Sequence, residues 1–237
     1  MKPTGLGSSG RITSGLKPNA IPLEIVAFIR QQLPAWRDDP GRPDGDSEPV
    51  LNPQLCRFPN VRARSEFPLF TFGHEEPQAS GRHIDLSASA VESIVIEAQP
   101  YTKYDPVLVI ECKRIPAPSK KREKEYVTGV KADETTGGIQ RFKLGHHGAR
   151  LNMVAMIGYV QADTPSHWLE EINAWILELA CNPLGDGCTW DETEILKGIP
   201  DDESQGVFSH RSVHKRTVNS AKDEVEIQHL WIMMLRS

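Results

Sequence analysis

The chain reads PVLVIECKR over residues 106–114, and this stretch predicts the centre of the fold. Its four successive aliphatic residues, 107–110, indicate a strand that is buried on both faces, as in the middle of a sheet with cover on each side. Glu111 and Lys113 follow two residues apart, so their side chains leave the same face of the strand. Because a buried charge without a partner is costly, the pattern favours a paired or functional role for both residues.

The segments around this strand predict an α/β fold. Apolar and alternating patterns predict further strands at Phe67–Phe72, Arg82–Ser87, Ser93–Ala98 and Asn152–Gln161. Between the last of these and residues 106–114, Thr136–Lys143 predicts the start of a helix, with Gly137 and Gly138 allowing close approach of the backbone. A helix between two apolar strands is the pattern of a crossover between parallel neighbours.

The rest of the chain predicts helices at both ends of this core and a terminal strand pair. Before the core we expect a short helix at Pro22–Leu33 ended by Pro34, a linker at Arg37–Pro49 and a short helix at Val50–Phe58 capped by Ser47. Within the core, Ser119–Glu134 is expected as a mobile loop. After the core we expect an amphipathic helix capped by Ser166, a connection at Cys181–Asp202, and antiparallel strands at Gly206–Arg216 and Val225–Leu235. The expected organisation is a flexible N-terminal extension with one short helix (1–47) and one main domain (48–237).

The charge of the chain is distributed unevenly. The formal net charge is −5, which argues against a generally basic nucleic-acid coat. Between Tyr101 and Arg150, however, 11 Lys and Arg stand against 6 Asp and Glu, which leaves 16 against 26 elsewhere. One region is therefore suited to hold a polyanion, and the remainder repels it.

Cysteine spacing and hydropathy limit the class of protein. The four cysteines, Cys56, Cys112, Cys181 and Cys188, form no CxxC pair, so neither a zinc ribbon nor a disulfide framework is indicated and free thiols are expected. No stretch has the roughly 20 consecutive apolar residues of a membrane-spanning helix. The Gly/Ser-rich residues 1–16 lack the apolar core of a signal peptide. We expect a cytoplasmic protein without membrane association.

Asp85 adds a second carboxylate to the pair at 111 and 113. In the stretch 82–87, alternation with Ile84 and Leu86 brings Asp85 to the polar face of a strand that precedes residues 106–114. Carboxylates that converge from two strands are hard ligands suited to Mg²⁺, and the carbonyl of Cys112 would supply a further oxygen. If such a cation binds a substrate phosphate, Lys113 would orient the water molecule that attacks this phosphate and would favour the deprotonated form of that water.

The segments GRHIDLSAS (81–89) and VLVIECKRI (107–115) together resemble the PD-(D/E)xK superfamily of restriction-endonuclease-like nucleases. The family's proline before the aspartate is replaced here by Ile84. The resemblance covers about Glu48 to Gln161 and implies an αβββαβ core with a mixed central sheet flanked by helices. It further implies a metal-dependent endonuclease that uses Mg²⁺ or Mn²⁺ to hydrolyse DNA, with RNA left open as a substrate.

Families of this type often add an upstream helical glutamate and a residue from the helix after the lysine strand. For the glutamate we expect Glu48, with Glu24 as the alternative; a first-turn glutamate that favours the helix dipole explains either equally well. For the helix, GGIQRFKLGHHG (137–148) offers Gln140 to position a metal-bound water and Arg141 to grip a phosphate. Ordinary exposed helix residues are the alternative for both.

The basic residues near the site are candidate contacts for nucleic acid. These candidates are Lys120, Lys121, Arg122, Arg141 and Lys143. Because contacts to backbone phosphates carry no base information, they predict salt-dependent binding without sequence specificity. A solvated surface loop is the competing interpretation of the run at 120–122.

Other functional classes stay open at this stage. The main alternative is a catalytically silent nuclease-fold subunit that binds nucleic acid or assembles with a partner protein, and a structural partner protein is a third. A metal site at His146 and His147 is disfavoured, because no carboxylate or cysteine lies at ligand spacing in the sequence. By analogy with the resemblance, we expect a role in prokaryotic restriction, anti-phage defence or a mobile element. The expected assembly is a homodimer or a complex with a partner that supplies targeting or ATPase activity.

Overall fold

The computed structural model describes residues 19–79, 82–200, 205–217 and 222–234. The helices are α1 (Ala20–Arg37), α2 (Glu48–Glu66), α3 (Gly138–Lys143) and α4 (Pro165–Cys181), with 3-10 helices at Lys120–Tyr126 and Glu192–Glu194. The strands are β1 (Phe70–Ala79), β2 (Arg82–Ala90), β3 (Ile94–Ile96), β4 (Gln99–Tyr101), β5 (Pro106–Ile115), β6 (Met153–Val160), β7 (Lys197–Gly198), β8 (Val207–Lys215) and β9 (Glu224–Met233). The flexible start expected at residues 1–16 lies outside the described ranges, as do Asp202 and Leu235.

Seven strands form a mixed central sheet in the order β1-β2-β5-β6-β9-β8-β7. The three central strands, β5, β6 and β9, are parallel, and the flanking pairs on both sides are antiparallel. α3 lies in the connection between the parallel neighbours β5 and β6, as the two apolar patterns predicted. The predicted terminal pair, β8 and β9, is also confirmed as antiparallel. The chain is thus an α/β protein with a mixed sheet flanked by helices.

The sheet is covered on both faces, which confirms the prediction for β5. Leu108, Ile110 and Cys112 belong to a core shared with α1 and α2, whereas Val109 and Ile115 belong to a second core shared with α4. Six residues of α1 are buried in the first core: Ile25, Val26, Phe28, Ile29, Leu33 and Trp36. The domain boundary predicted at residue 48 therefore does not coincide with a break in packing, because α1 is part of the main core.

Both N-terminal helices are longer than predicted. α1 continues through Pro34, which was expected to end it, because Trp36 beyond the proline is buried and anchors the last turn. α2 likewise continues through Pro53 and Pro59 to Glu66, where a helix over residues 50–58 was predicted. In both helices, tertiary packing outweighs the backbone hydrogen bonds that proline removes.

Four further expectations are corrected in detail. β1 begins three residues later than predicted, because Phe67 still closes the last turn of α2. Residues 94–101 form a separate two-stranded hairpin, since Glu97 and Ala98 make a turn with φ of 50° and 63°. The segment expected as a mobile loop, Ser119–Glu134, contains a 3-10 helix anchored by the buried side chain of Tyr126. Thr164, not Ser166, caps α4, by accepting a hydrogen bond from His167 N at 3.2 Å.

The cysteines agree with the prediction made from their spacing. All four cysteines are free thiols, and Cys181 alone is exposed. Over the described ranges, no helix combines the length and the apolar character needed to cross a membrane.

Close packing of the backbone explains the glycine pair at the start of α3. A Cβ at Gly137 would collide with the backbone of Thr128, and one at Gly138 would collide with the side chain of Met156.

A buried chain of hydrogen bonds begins in β9 and has a fixed direction. Trp231 Nε1 donates to the hydroxyl of Tyr126 at 2.9 Å. Because an indole nitrogen only donates, Tyr126 accepts this bond. Among the described hydrogen bonds of Tyr126, His229 Nδ1, 2.8 Å away, is the acceptor for the hydroxyl hydrogen. Neutral His229 then carries its hydrogen on Nε2, which donates to Ser212 Oγ at 2.7 Å.

The same chain continues to α3. Ser212 accepts from His229, so it donates to His214 Nε2 at 2.7 Å. His214 Nδ1 lies 3.3 Å from Glu194 Oε2, and Lys143 Nζ donates to both oxygens of Glu194, at 2.7 and 2.6 Å. The network thereby ties the terminal strand pair to α3, the crossover helix between the two central strands.

This network predicts a dependence of stability on pH at His229. Burial lowers the pKa of His229 well below its ordinary value, and His214 and His210 act in the same direction. Below about pH 6.5 the unfolded chain therefore binds a proton that the folded chain does not, so the free energy of unfolding falls with falling pH. Replacing His229→Gln should reduce this slope by up to about 1.4 kcal/mol per pH unit.

Chemical denaturation across this pH range measures the slope for the wild type, His229→Gln and a control, His167→Gln, which replaces an exposed histidine. The control should follow the wild type. Equal slopes for wild type and His229→Gln would show that His229 does not control acid stability.

Candidate functional site

The candidate site lies where β2 separates from β5. The antiparallel pairing of these strands includes Leu86 opposite Ile110 and does not continue to the next position. Asp85, the residue before Leu86, instead uses its side chain: Oδ2 accepts a hydrogen bond from Cys112 N at 2.7 Å. The N–H of Cys112, which has no hydrogen-bond partner on β2, is thus satisfied by the carboxylate of Asp85. Asp85 itself remains partly exposed.

Glu48 satisfies the next N–H along the same edge of β5. It lies in the first turn of α2, and its Oε1 accepts a hydrogen bond from Arg114 N at 2.9 Å. Its negative charge acts on both Asp85 and Lys113, which raises the pKa of each. The structure therefore brings Glu48 to the site. Glu24, the alternative, is exposed on α1 and has no contact with these residues among those described.

Glu111 is fully buried, at 0% exposure, and is surrounded by basic groups. Lys113 Nζ lies 3.4 Å from Glu111 Oε1, and Arg141 Nη1 donates to the same oxygen. His147 Nδ1 lies 3.1 Å from the other oxygen, Oε2. Lys113 is 5% exposed, so the pair two residues apart on β5 is a buried ion pair, as its position after four aliphatic residues suggested.

The two carboxylates of the site have opposite electrostatic environments. Burial would raise the pKa of Glu111, but Lys113, His147 and Arg141 outweigh it and lower this pKa to about 2. Burial and the negative charge of Glu111 raise the pKa of Asp85 to about 7. The pKa of Lys113 is raised, because Glu111 and Glu48 outweigh the effect of burial, and Lys113 stays an ammonium group. The Cys112 N–H and Lys113 lower the pKa of Asp85 but do not outweigh burial and the charge of Glu111, so Asp85 is the less compensated of the two carboxylates.

The donor set fits a hard divalent cation. Asp85 and Glu111 supply carboxylate oxygens from adjacent strands. The carbonyl of Cys112 points to the same edge as its N–H, because both groups of a strand residue lie on one side, and this edge faces Asp85. A cation here would add to the positive charge that compensates Asp85. Within the described ranges, no group of three or more His, Cys, Asp and Glu side chains is arranged to hold a metal ion. Mg²⁺ usually keeps several waters, which would complete its coordination beside two carboxylates and a carbonyl.

His147 is the site residue that the sequence did not indicate. It was set aside because no carboxylate stands near it in the sequence, yet the fold brings Glu111 to its ring. Gly148 makes this approach possible: it has φ of 59°, and a Cβ there would lie 2.8 Å from the Val109 side chain. The GHHG sequence at 145–148 was the available signal, since glycines on both sides of two histidines permit close packing of that loop.

Gln140 does not have the position that was expected for a catalytic residue. Its Oε1 accepts hydrogen bonds from the N–H groups of Gly129 and Gly137, at 3.0 and 3.1 Å. Its Nε2 donates to Glu134 O at 3.1 Å and to Asp186 Oδ2 at 2.6 Å. The side chain is buried and bonded to surrounding loops, so the structure gives it a role in holding α3 and not in binding a metal-bound water.

The basic candidates fall into three groups. Lys120, Lys121 and Arg122 are exposed on the 3-10 helix, and Arg122 pairs with Glu125 at 2.6 Å. Arg141 contacts Glu111, as described above. Lys143 was wrongly predicted to contact nucleic acid: it is 0% exposed and bound to both oxygens of Glu194, so no phosphate can reach it.

Comparison with protein families, with curated proteins and with solved structures gave no match to this chain. The fold and the geometry described above therefore carry the functional proposal by themselves.

Proposed function

We propose that this protein is a metal-dependent nuclease with Asp85, Glu111 and Lys113 at its centre. One observation carries the proposal: Asp85 and Glu111 come from adjacent strands and lie at the edge where these strands separate, Asp85 on the N–H of Cys112 and Glu111 beside the buried Lys113. Glu111 is ionised and buried, and Asp85 is partly exposed and short of positive charge. This combination is suited to Mg²⁺ or Mn²⁺ at the end of an open strand edge.

The proposed reaction is hydrolysis of a phosphodiester bond. A water oxygen bonds to phosphorus, the P–O ester bond breaks, and the leaving oxygen takes up a proton. A cation held by Asp85, Glu111 and the Cys112 carbonyl would polarise the phosphate and acidify a bound water. Lys113 has three donors and a permanent charge but no lone pair, so it orients the water or stabilises the negative charge of the transition state.

The order of elements supports a restriction-endonuclease-like fold. Apart from the β3–β4 hairpin, α2, β1, β2, β5, α3 and β6 follow each other as αβββαβ, the core that the resemblance implies. Glu48 at the start of α2 then corresponds to the upstream glutamate of such families. The proposed substrate is DNA, with RNA to be compared directly. A role in restriction, anti-phage defence or a mobile element, with a partner for targeting or a second copy of the chain, rests on this analogy.

A second candidate is a catalytically silent nuclease-fold subunit. The observation that favours it is the engagement of both Glu111 oxygens by Arg141, Lys113 and His147, which is a satisfied ion cluster without any metal. The two candidates differ in one property. The nuclease requires a divalent cation for turnover, whereas the silent subunit binds nucleic acid without cleaving it.

The first prediction concerns the two carboxylates. Asp85→Asn and Glu111→Gln should each lower the cleavage rate by at least about 100-fold, because each removes a charged ligand while keeping its shape. Asparagine can still accept the hydrogen bond from Cys112 N, so the fold should be retained. The assay uses supercoiled, linear and single-stranded DNA and RNA, each in Mg²⁺, Mn²⁺ or EDTA.

The matched control is Glu178→Gln, which removes an exposed carboxylate paired with Lys124 and should leave the rate unchanged. Folded Asp85→Asn and Glu111→Gln proteins that still cleave at the wild-type rate would refute the assignment. A wild-type protein that binds DNA but cleaves nothing in either metal would instead favour the silent subunit.

The second prediction separates binding from chemistry at Lys113. Lys113→Met fills the buried position without a charge and should reduce single-turnover cleavage by roughly 100-fold or more, because one preorganised electrostatic group is lost. Binding of Mg²⁺, measured by calorimetry, should persist, since a protonated lysine does not ligate metal. If Lys113→Met cleaves normally, or fails only because DNA no longer binds, Lys113 does not have the proposed role.

The third prediction concerns the exposed lysines of the 3-10 helix. Lys120→Glu with Lys121→Glu should weaken DNA binding for all sequences and reduce the slope of log affinity against log salt by roughly 2, because two phosphate contacts are lost. Arg122 stays unchanged because it neutralises the buried Glu125. The control, Lys197→Glu with Lys215→Glu, changes two exposed lysines of β7 and β8. Identical salt slopes for both double variants would identify residues 120–122 as a solvated surface.

A further inference from the structure

The groups that hold Glu111 differ in how firmly they are fixed. His147 is 2% exposed and packs edge-on against Phe142, with ring centres 6.3 Å apart. Lys113 lies on β5 itself, two residues from Glu111. The side chain of Arg141, in contrast, is 26% exposed and reaches Glu111 from α3. Of these three, the guanidinium has the most room to move.

The loop that carries His147 is held in place by Arg216. This buried guanidinium donates to one backbone carbonyl of α3, Phe142 at 3.1 Å, and to three of the loop that follows: Gly148 at 2.8 Å, Ala149 at 3.1 Å and Leu151 at 3.0 Å. The loop that places His147 next to Glu111 Oε2 is therefore held firmly in position. Arg141 has a weaker second attachment, a single hydrogen bond from Nε to Thr135 O at 3.3 Å.

The two sides of Glu111 consequently have different properties. Oε2 is bound by a fixed, buried histidine, whereas Oε1 is shared between Lys113 and the partly exposed Arg141. A divalent cation that binds Oε1 meets the positive charge of Arg141 at short range. Like charges in a buried site repel strongly, so cation and guanidinium compete for the same oxygen.

We propose that Arg141 is a displaceable counter-ion of Glu111, which neutralises this carboxylate in the metal-free protein and leaves Oε1 when a divalent cation binds. His147 is the positioning residue that keeps Glu111 oriented throughout. This proposal rests on the metal site of the proposed function. It accounts for the internal partners that both oxygens of this proposed metal ligand have.

Calorimetric titration of the full-length protein with Mg²⁺ or Mn²⁺ tests the proposal. Arg141→Gln should bind the metal about 10-fold or more tightly than the wild type, because no charge-assisted hydrogen bond has to be broken. Arg141→Lys keeps a competing charge and should stay closer to the wild type. His147→Ala should bind the metal about 10- to 100-fold more weakly, because the orientation of Glu111 is lost. Arg211→Gln, which removes a surface charge paired with Glu226, controls for net charge.

Thermal denaturation in EDTA verifies that each variant is folded, and the increase in melting temperature on adding metal repeats the comparison independently. If wild type and Arg141→Gln bind metal equally, or if Arg141→Gln binds more weakly, Arg141 is not a displaceable counter-ion, and the metal site itself stands. If neither protein binds metal at millimolar concentration, both this proposal and the nuclease proposal are wrong. Tighter binding by Arg141→Gln in a protein that cleaves no nucleic acid would support the counter-ion role and refute the nuclease.

Discussion

The candidate site depends on the edge of β5 beyond Ile110, where β2 no longer pairs with it because their pairing begins at Leu86. A buried backbone N–H without a partner costs about 1–3 kcal/mol, so an edge that loses its neighbouring strand has to find other acceptors. The N–H groups of Cys112 and Arg114 find them in the carboxylates of Asp85 and Glu48. Since Glu111 lies on β5 directly before Cys112, three carboxylates gather at one place for a reason that begins with backbone hydrogen bonding. The same requirement leaves the Cys112 carbonyl facing Asp85, where it becomes available as an oxygen donor.

Charge decides which of these carboxylates is prepared for a cation. Glu111 is compensated by Lys113, Arg141 and His147, which keep its pKa low in spite of burial. Asp85 accepts one backbone hydrogen bond, but burial and the nearby Glu111 raise its pKa towards neutrality. Glu111 therefore already has positively charged partners inside the protein, whereas Asp85 is less well compensated. A cation between them would relieve Asp85 directly, whereas at Glu111 it has to replace a partner that is already present. In the proposed metal site, a cation would therefore join a cluster whose charges are already partly compensated.

The sequence predicted the parts of this arrangement that depend on local patterns. Four aliphatic residues before Glu111 identified a strand with two buried faces, and alternation around Asp85 placed this residue on the polar side of its neighbour. The position of His147 could not be predicted, because the contact with Glu111 spans 36 residues and depends on how the loop after α3 folds back. The lengths of α1 and α2 were underestimated for a related reason: prolines end helices by local rules, and these helices continue because the sheet buries their apolar faces. Lys143 shows the same limit, since its buried partner Glu194 lies 51 residues away.

A crystal structure of the protein grown with Mn²⁺ tests the central claim most directly, because the anomalous signal locates the metal independently of any model of the chain. We expect a single strong peak between the carboxylates of Asp85 and Glu111, at about 2.0–2.3 Å from an oxygen of each, with the Cys112 carbonyl and water completing the coordination. Arg141 should then no longer contact Glu111 Oε1, and His147 should remain on Oε2. An empty site at saturating Mn²⁺, with Arg141 still bound to Glu111, would contradict the assignment of these residues as a metal centre and leave them as an internal ion cluster.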